Sequence, residues 1–220
     1  MWVVVVAAGR GQRFGAPKQY ASLAGRSMVQ WAVDAARSVA DGVVLVLPAA
    51  EDSGAGDGAG HVTAADVVTG ADVSVSGGDT RAASVRAGLA AVPLSAQVIV
   101  VHDGARPLAS PALFGAVVDA VTGGADAAVP GLAMADTLKR VVDGVVTATV
   151  ARDDLVTVQT PQAFRAEVLR AAHDAGADAT DDATLVEALG ATVRVVPGDP
   201  RNIKVTTAGD LAVAQALALS

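Results

Sequence analysis

Residues 2–8, WVVVVAA, form an uninterrupted apolar run that ends on a glycine turn, and no other feature restricts the fold as much. A strand with one wet face alternates apolar and polar residues. A continuous run implies burial on both faces, as in a parallel sheet covered by helices. GVVLVLP (42–48) and VIVVHDGARP (98–107) repeat the theme, and DVSVSGG (72–78), which ends in paired glycines, and DAAVPG (126–131) read as further strands. Between them lie stretches with apolar residues at helical spacing: SMVQWAVDAARSVA (27–40), TRAASVRAGLAAV (80–92) and SPALFGAVVDAV (110–121). The last begins with Ser110 as a helix cap and Pro111 at the first helical position. Strand and helix in alternation predict an α/β fold, with a mostly parallel sheet, right-handed crossovers and helices on both faces.

The alternation breaks at ADTLKRVVDGVVTATV (135–150), where two β-rich runs flank Asp143-Gly144, the dipeptide favoured in a two-residue hairpin turn. This predicts a β-arm at about 135–152, serving as a lid or reaching a partner subunit. Beyond it, VTVQTPQAF (156–164) returns to the sheet. RAEVLRAAHDAG and TDDATLVEALG read as helices, ATVRVVPG as a strand, and NIKVTTAGDLAVAQALAL closes the chain. AAEDSGAGDGAG (49–60) reads as a flexible loop without a chemical signal. The 220 residues are expected to form one domain.

Composition excludes several functions. With no cysteine, disulfides and thiolate zinc sites are ruled out, and the three histidines, His61, His102 and His173, are too scattered for a histidine metal cluster. A net charge of −7 argues against general nucleic-acid binding. The apolar runs fall far short of the ~20 residues of a membrane span, and no basic leader precedes the first of them. A soluble, cytoplasmic protein is the expectation. Phosphate chemistry would need locally gathered cations, and the three lysines, Lys18, Lys139 and Lys204, all lie in or near distinctive motifs.

Ligands in doubly wound sheets bind at the carboxyl ends of the strands, and three polar clusters fall there. The first is AAGRGQRFGAPK (7–18). Its small residues admit close approach by a ligand, its backbone N–H groups suit phosphate oxygens, and Arg10, Arg13 and Lys18 add charge. The glycines do not match the G-x-G-x-x-G dinucleotide fingerprint, the second strand ends in Pro48 rather than an acidic residue, and the kinase-type P-loop is absent. A nucleoside triphosphate held by several cations remains, beside the plain alternative of a glycine turn with solvated charges. The second cluster, SGGDTRAASV (76–85), can set Gly77-Gly78 against a flat ring with Asp79 and Ser84 on its polar edges; alternatively Asp79 simply caps the helix. In the third, VHDGARP (101–107), Asp103 is placed for Mg²⁺ or ribose, or else for a turn-stabilising pair with Arg106. Mg²⁺ commonly takes one or two protein carboxylates plus substrate phosphates.

Taken in order, AAGRGQRFGAPKQY, GGDTRAASV, VHDGARP, ADTLKR, QTPQAF, TDD and NIKVT resemble the 2-C-methyl-D-erythritol 4-phosphate cytidylyltransferase family, from about residue 3 to residue 217. The resemblance implies a Rossmann-like nucleotidyltransferase fold. It also implies transfer of the cytidylyl group of CTP to methylerythritol phosphate, with release of pyrophosphate, in non-mevalonate isoprenoid biosynthesis. By matching motifs, Ala7, Ala8 and Gly9 line the nucleotide, and Arg13 and Lys18 grip the triphosphate. Gly77, Gly78, Asp79 and Ser84 read cytosine, Asp103 serves the metal (Mg²⁺ or another divalent cation) and the ribose, and Lys204 contacts the α-phosphate. Thr137, Arg152 and Thr180 bind the acceptor. The arm crosses to a second subunit, so that a homodimer completes each site. Where the family often carries an acidic residue before the Asn of NIKVT, this chain has Arg201, with Asp199 two positions earlier; Gly104 stands where Ala is common. The alternatives are a ribitol-5-phosphate cytidylyltransferase, which shares the nucleotide-side motifs, and a non-catalytic nucleotide-binding protein, which would be expected to have lost Arg13, Lys18 or Lys204.

Overall fold

The structure, a computed structural model, describes residues 1–9, 14, 17–49, 68–176 and 178–219. Arg10, Arg13 and the 49–60 loop from Ala50 onward lie outside them. Strand β1 is Trp2–Val6; after a 3-10 turn at Lys18–Tyr20 come two short strands, β2 (Ser22–Leu23) and β3 (Arg26–Ser27). Helix α1 (Met28–Arg37) then leads to β4 (Gly42–Leu47) and β5 (Val73–Ser76), followed by helix α2 (Arg81–Ala91), β6 (Val98–Asp103), helix α3 (Pro111–Thr122) and β7 (Ala127–Ala133). The hairpin strands are β8 (Leu138–Val142) and β9 (Val145–Val150). After β10 (Val156–Val158) and β11 (Gln162–Arg165) come helices α4 (Ala166–Asp174) and α5 (Asp182–Glu187), β12 (Val193–Pro197) and helix α6 (Ala208–Ala218).

The central sheet runs β10–β7–β11–β6–β1–β4–β5, and β12 adds to β7. Pairings β6–β1, β1–β4, β4–β5 and β7–β12 are parallel, whereas β10 and β11 run antiparallel to their neighbours. Successive side chains of a strand point to opposite faces, and the core divides accordingly. Val3, Val5, Val43, Leu45, Val98 and Val100 pack on one side with Val29 and Val33 of α1 and Phe114 and Val117 of α3. Val4, Val44, Val46, Ile99 and Val101 pack on the other with Val85 and Leu89 of α2 and Leu169 of α4. Two covered faces are why these strands read as unbroken apolar runs. No helix among the described residues is long and apolar enough to cross a membrane.

Helix starts follow their side chains. Ser110 accepts the Leu113 N–H ahead of α3, as its place before Pro111 predicts. For α2 the cap is Thr80, which accepts the Ala83 N–H, and not Asp79. The threonine hydroxyl does the capping, and Asp79 lines the cleft described below. In the hairpin, Asp143 and Gly144 have φ of +49° and +78°, as a two-residue turn with both central residues left-handed requires. Among the described residues β8 and β9 pair only with each other, forming a separate two-stranded sheet.

Candidate active site

The register of the parallel strands sets Val6 of β1 opposite Asp103 of β6. The chain leaves both at the same height, and backbone bonds continue the ladder into the loops. Ala7 N–H donates to Val46 (2.8 Å), Gly77 N–H to Leu47 (2.7 Å) and Gly104 N–H to Val6 (2.9 Å). The carboxyl ends of β1, β4, β5 and β6 thus converge on a cleft of about 600 Å³. Eight residues expected to bind CTP line it: Ala7, Ala8, Gly9, Gly77, Gly78, Asp79, Ser84 and Asp103. Lys18 and Lys204 line it too.

The Gly77-Gly78 turn is tightly built. A Cβ at Gly77 would fall 2.4 Å from Ala8 Cβ and 2.7 Å from Ser84 Oγ, so only glycine lets this strand end press against the first loop. Ser84 Oγ accepts the Gly78 N–H at 3.2 Å and lies 3.0 Å from the Thr80 carbonyl, so its hydroxyl shapes the turn from beneath.

Lys204 is delivered from residue 202 onward. Asn202, fully buried, donates to Thr160 O (2.8 Å), and its own carbonyl accepts from Arg106 Nη1 (2.7 Å). Val205 N–H donates to Ala105 O (2.8 Å), and Val205 O accepts from Lys18 Nζ (2.9 Å). The two lysines, 186 positions apart, are therefore braced against one backbone segment. Arg106 serves that brace; the ion-pair partners of Asp103 are Arg81 and Lys204.

Asp103 is the electrostatic centre. Its Oδ2 lies 2.6 Å from Lys204 Nζ, and its Oδ1 accepts from Arg81 Nε (3.3 Å) and Nη2 (3.2 Å). Burial alone would push its carboxyl up, but the two cations outweigh that and hold it well below the usual carboxylate range. The carboxylate is therefore ionised before any substrate arrives. His102 beneath it is fully buried, and burial pushes its imidazole down to about 4, against the attraction of Asp103. A neutral ring fixes the hydrogen bonds. Nε2–H donates to Arg106 O (3.1 Å), Nδ1 accepts the Thr160 hydroxyl (3.2 Å), and Thr160 Oγ1 accepts the Asp103 N–H (3.0 Å).

Arg81 and Thr80, both lining the cleft, were not singled out by motif reading. Arg81 sits inside GGDTR, but its ion-pair partners, Asp103 and Asp182, lie 22 and 101 residues away. Of the expected acceptor residues, Thr137, Arg152 and Thr180 do not line this chain's cleft. Thr137 and Arg152 are exposed at the base of the hairpin, with Arg152 donating to Ala135 O, and Thr180 is exposed just before α5. Arg13, expected on the triphosphate, lies outside the described residues. Arg201 points away from the cleft and donates to Leu217 O (2.6 Å), while Asp199 accepts the Arg201 backbone N–H (2.8 Å).

The model of the 2-C-methyl-D-erythritol 4-phosphate cytidylyltransferase family matches residues 1–219. The chain belongs to that family. It is 45% identical to a protein of that name from Nocardia farcinica, over 97% of this chain and 92% of the relative. It is 43% identical to a protein of Ruegeria pomeroyi named bifunctional enzyme IspD/IspF, over 96% of this chain but only 55% of that longer one. Among solved structures, the cytidylyltransferase of that name from Thermus thermophilus superimposes with a TM-score of 0.79 at 35% identity, covering 99% of this chain and 98% of its own.

Proposed function

We propose that this chain transfers the cytidylyl group of CTP to 2-C-methyl-D-erythritol 4-phosphate, giving 4-diphosphocytidyl-2-C-methyl-D-erythritol and pyrophosphate. The observation that carries this reading is the cleft itself. In a chain matching the family over its whole length, the AAG and GGD turns, Asp103, Lys18 and Lys204 meet at the carboxyl ends of adjacent parallel strands. The full-length match favours methylerythritol phosphate over ribitol 5-phosphate, and the retained lysines favour an enzyme over a passive nucleotide binder.

In the reaction an oxygen of the acceptor phosphate attacks the α-phosphorus, a new P–O bond forms, and the bond to the bridging oxygen of pyrophosphate breaks. Negative charge grows on the α-phosphate oxygens and on the leaving group, so positioned cations supply most of the rate enhancement. Lys204 serves the α-phosphate, and Lys18, with Arg13, the triphosphate. In this reading the backbone edge of the GGD turn meets the cytosine ring.

No group of three or more metal-ligating side chains is gathered among the described residues. One permanently ionised carboxylate, Asp103, suits a Mg²⁺ that arrives with the triphosphate and takes most of its oxygens from phosphate and water. When bound, that ion would offset charge on the phosphates. Asp103's own part is to present an ionised oxygen from a fixed backbone position once Lys204 has turned to the nucleotide.

The acceptor side belongs to a homodimer in this reading. A lone two-stranded hairpin is marginal in water, yet β8–β9 exposes Val141, Val142, Val145 and Val146, each more than half accessible. Docked on a second copy, the hairpin would carry Thr137 and Arg152 to the neighbour's cleft, where a guanidinium can hold a phosphomonoester. The cytoplasm is the compartment expected for such chemistry.

The test is pyrophosphate release from CTP and Mg²⁺ with methylerythritol phosphate or ribitol 5-phosphate in parallel. Turnover with the former alone is expected. Turnover with ribitol 5-phosphate alone would keep the nucleotide site and replace the acceptor, and inactivity with both would refute the reading.

A further inference from the structure

A line of polar side chains runs from the packed interior under α4 into the cleft. His173 Nε2 donates to Asp182 Oδ1 (3.0 Å), and Asp182 Oδ2 accepts from Arg81 Nη1 (2.7 Å). The other edge of Arg81 holds Asp103 Oδ1, and Asp103 Oδ2 holds Lys204 (2.6 Å). His173 and Asp182 are 2% and 1% exposed, whereas the Lys204 side chain at the far end is 42% exposed. Asp182 is not needed to start α5, because Asp181 caps that helix. A buried carboxylate is costly to keep without a partner or a purpose.

On the CTP reading, a bound nucleotide would draw Lys204 from Asp103 to a phosphate oxygen. Of its two side-chain cations, Asp103 then keeps Arg81. The guanidinium is placed by being shared, with Nη1 on Asp182 and the Nε–Nη2 edge on Asp103. With Asp182 uncharged, Arg81 would have one anion left and would close onto it. A tighter Arg81–Asp103 pair would release Lys204 at least as readily, so nucleotide binding would hold. The carboxylate, however, would be drawn from its place beside the reacting phosphate.

We propose that Asp182, steadied by His173, is a positioning residue that restrains Arg81 so that Asp103 keeps its place during cytidylyl transfer. The proposal rests on the reading of the cleft as a CTP site.

The test is Asp182→Asn, which keeps the shape and removes the charge. CTP affinity and stoichiometry are measured by calorimetry, and kcat by pyrophosphate release with methylerythritol phosphate. The variant is expected to bind one CTP per chain with a Kd no more than about twofold weaker, while kcat falls about tenfold, the size typical of losing a group that orients a ligating side chain. If Asp182→Asn does not fold, Arg81→Lys asks the same question, because one ammonium cannot span both carboxylates. It too should keep one CTP per chain and lose about tenfold in kcat. A kcat equal to wild type, a Kd weakened as much as kcat falls, or a kcat loss matched by lost binding sites would overturn the proposal. Absence of turnover in the wild-type protein would remove the CTP reading and this inference with it. An active wild type with an unaffected variant would overturn the inference alone.

Discussion

Lowering the pH should destabilise this protein through His102 before the Asp103 carboxylate responds. The imidazole is fully buried, packs at a tilt of 54° against Phe114 with ring centres 5.1 Å apart, and is held near 4 against an ordinary value of 6.5. In the unfolded chain it takes up a proton as the pH falls through about 6.5, whereas in the folded chain it refuses one until about 4. The unfolded state is therefore favoured progressively across that window, and stability falls with pH. For these two values the loss between pH 7 and pH 5 is about 2 kcal/mol. Asp103, whose carboxyl is depressed, adds stability above the ordinary value of about 3.9 that is lost only below it, so it stays silent in this range. Urea unfolding at pH 7 and pH 5 reads the difference as a drop of about 1 M in midpoint, with m in the usual range of 1–3 kcal/mol/M. His102→Gln should start less stable at pH 7, having lost the ring packed on Phe114, and then fall by correspondingly less. Since His61 and His173 are present in both proteins, their contributions cancel in the comparison. An equal drop in wild type and variant would refute the reasoning.

Gly77→Ala should cost about 1–3 kcal/mol by overpacking, because its methyl would lie 2.4 Å from Ala8 Cβ. In steady-state kinetics it should raise the KM for CTP far more than that for the acceptor, and an unchanged KM for CTP would count against the base-reading turn. Lys18→Ala and Lys204→Ala should each lower kcat by on the order of 10²–10³, and Lys204→Ala should also lower the urea midpoint, because it leaves Asp103 with Arg81 alone. Arg152→Ala should raise the acceptor KM and leave CTP affinity unchanged. Mixed with Lys204→Ala, it should regain part of the activity in hybrid dimers, where one site has both residues intact; no recovery would argue against a site shared between subunits.

Much of this was legible along the chain because the signals are local. Continuous valine runs announce strands buried on both faces, Ser110-Pro111 announces a helix start, and Asp143-Gly144 announces the hairpin. The residues that line the cleft were legible because each motif follows directly on a strand, and parallel register brings strand ends together. What escaped depends on distance or on competition between neighbours. Thr80 outcompetes Asp79 for the cap of α2, a choice between adjacent residues that residue type does not settle. β10 and β11 enter antiparallel to β7 and β6, which a short apolar run does not announce. Arg81 and Asp182, 101 positions apart, look like ordinary charges until the fold brings them to 2.7 Å.

Arg201 shows why a departure from the usual family residue need not disturb the chemistry. Its guanidinium closes the last turn of α6 on Leu217 O, where a cation is favoured by the exposed carbonyls of a helix C-terminus. Its backbone N–H is taken by Asp199. Both contacts lie on the outer side of the loop, while Asn202, one residue on, turns inward to Thr160 O and sets the direction of Lys204. An acidic side chain at position 201 would face the same carbonyls with the wrong sign, so here arginine strengthens the tether that aims the lysine. The carboxylate at Lys204 is Asp103, anchored on a central strand rather than on this loop, and that separation lets position 201 change its charge while the Asp103–Lys204 pair stays in place.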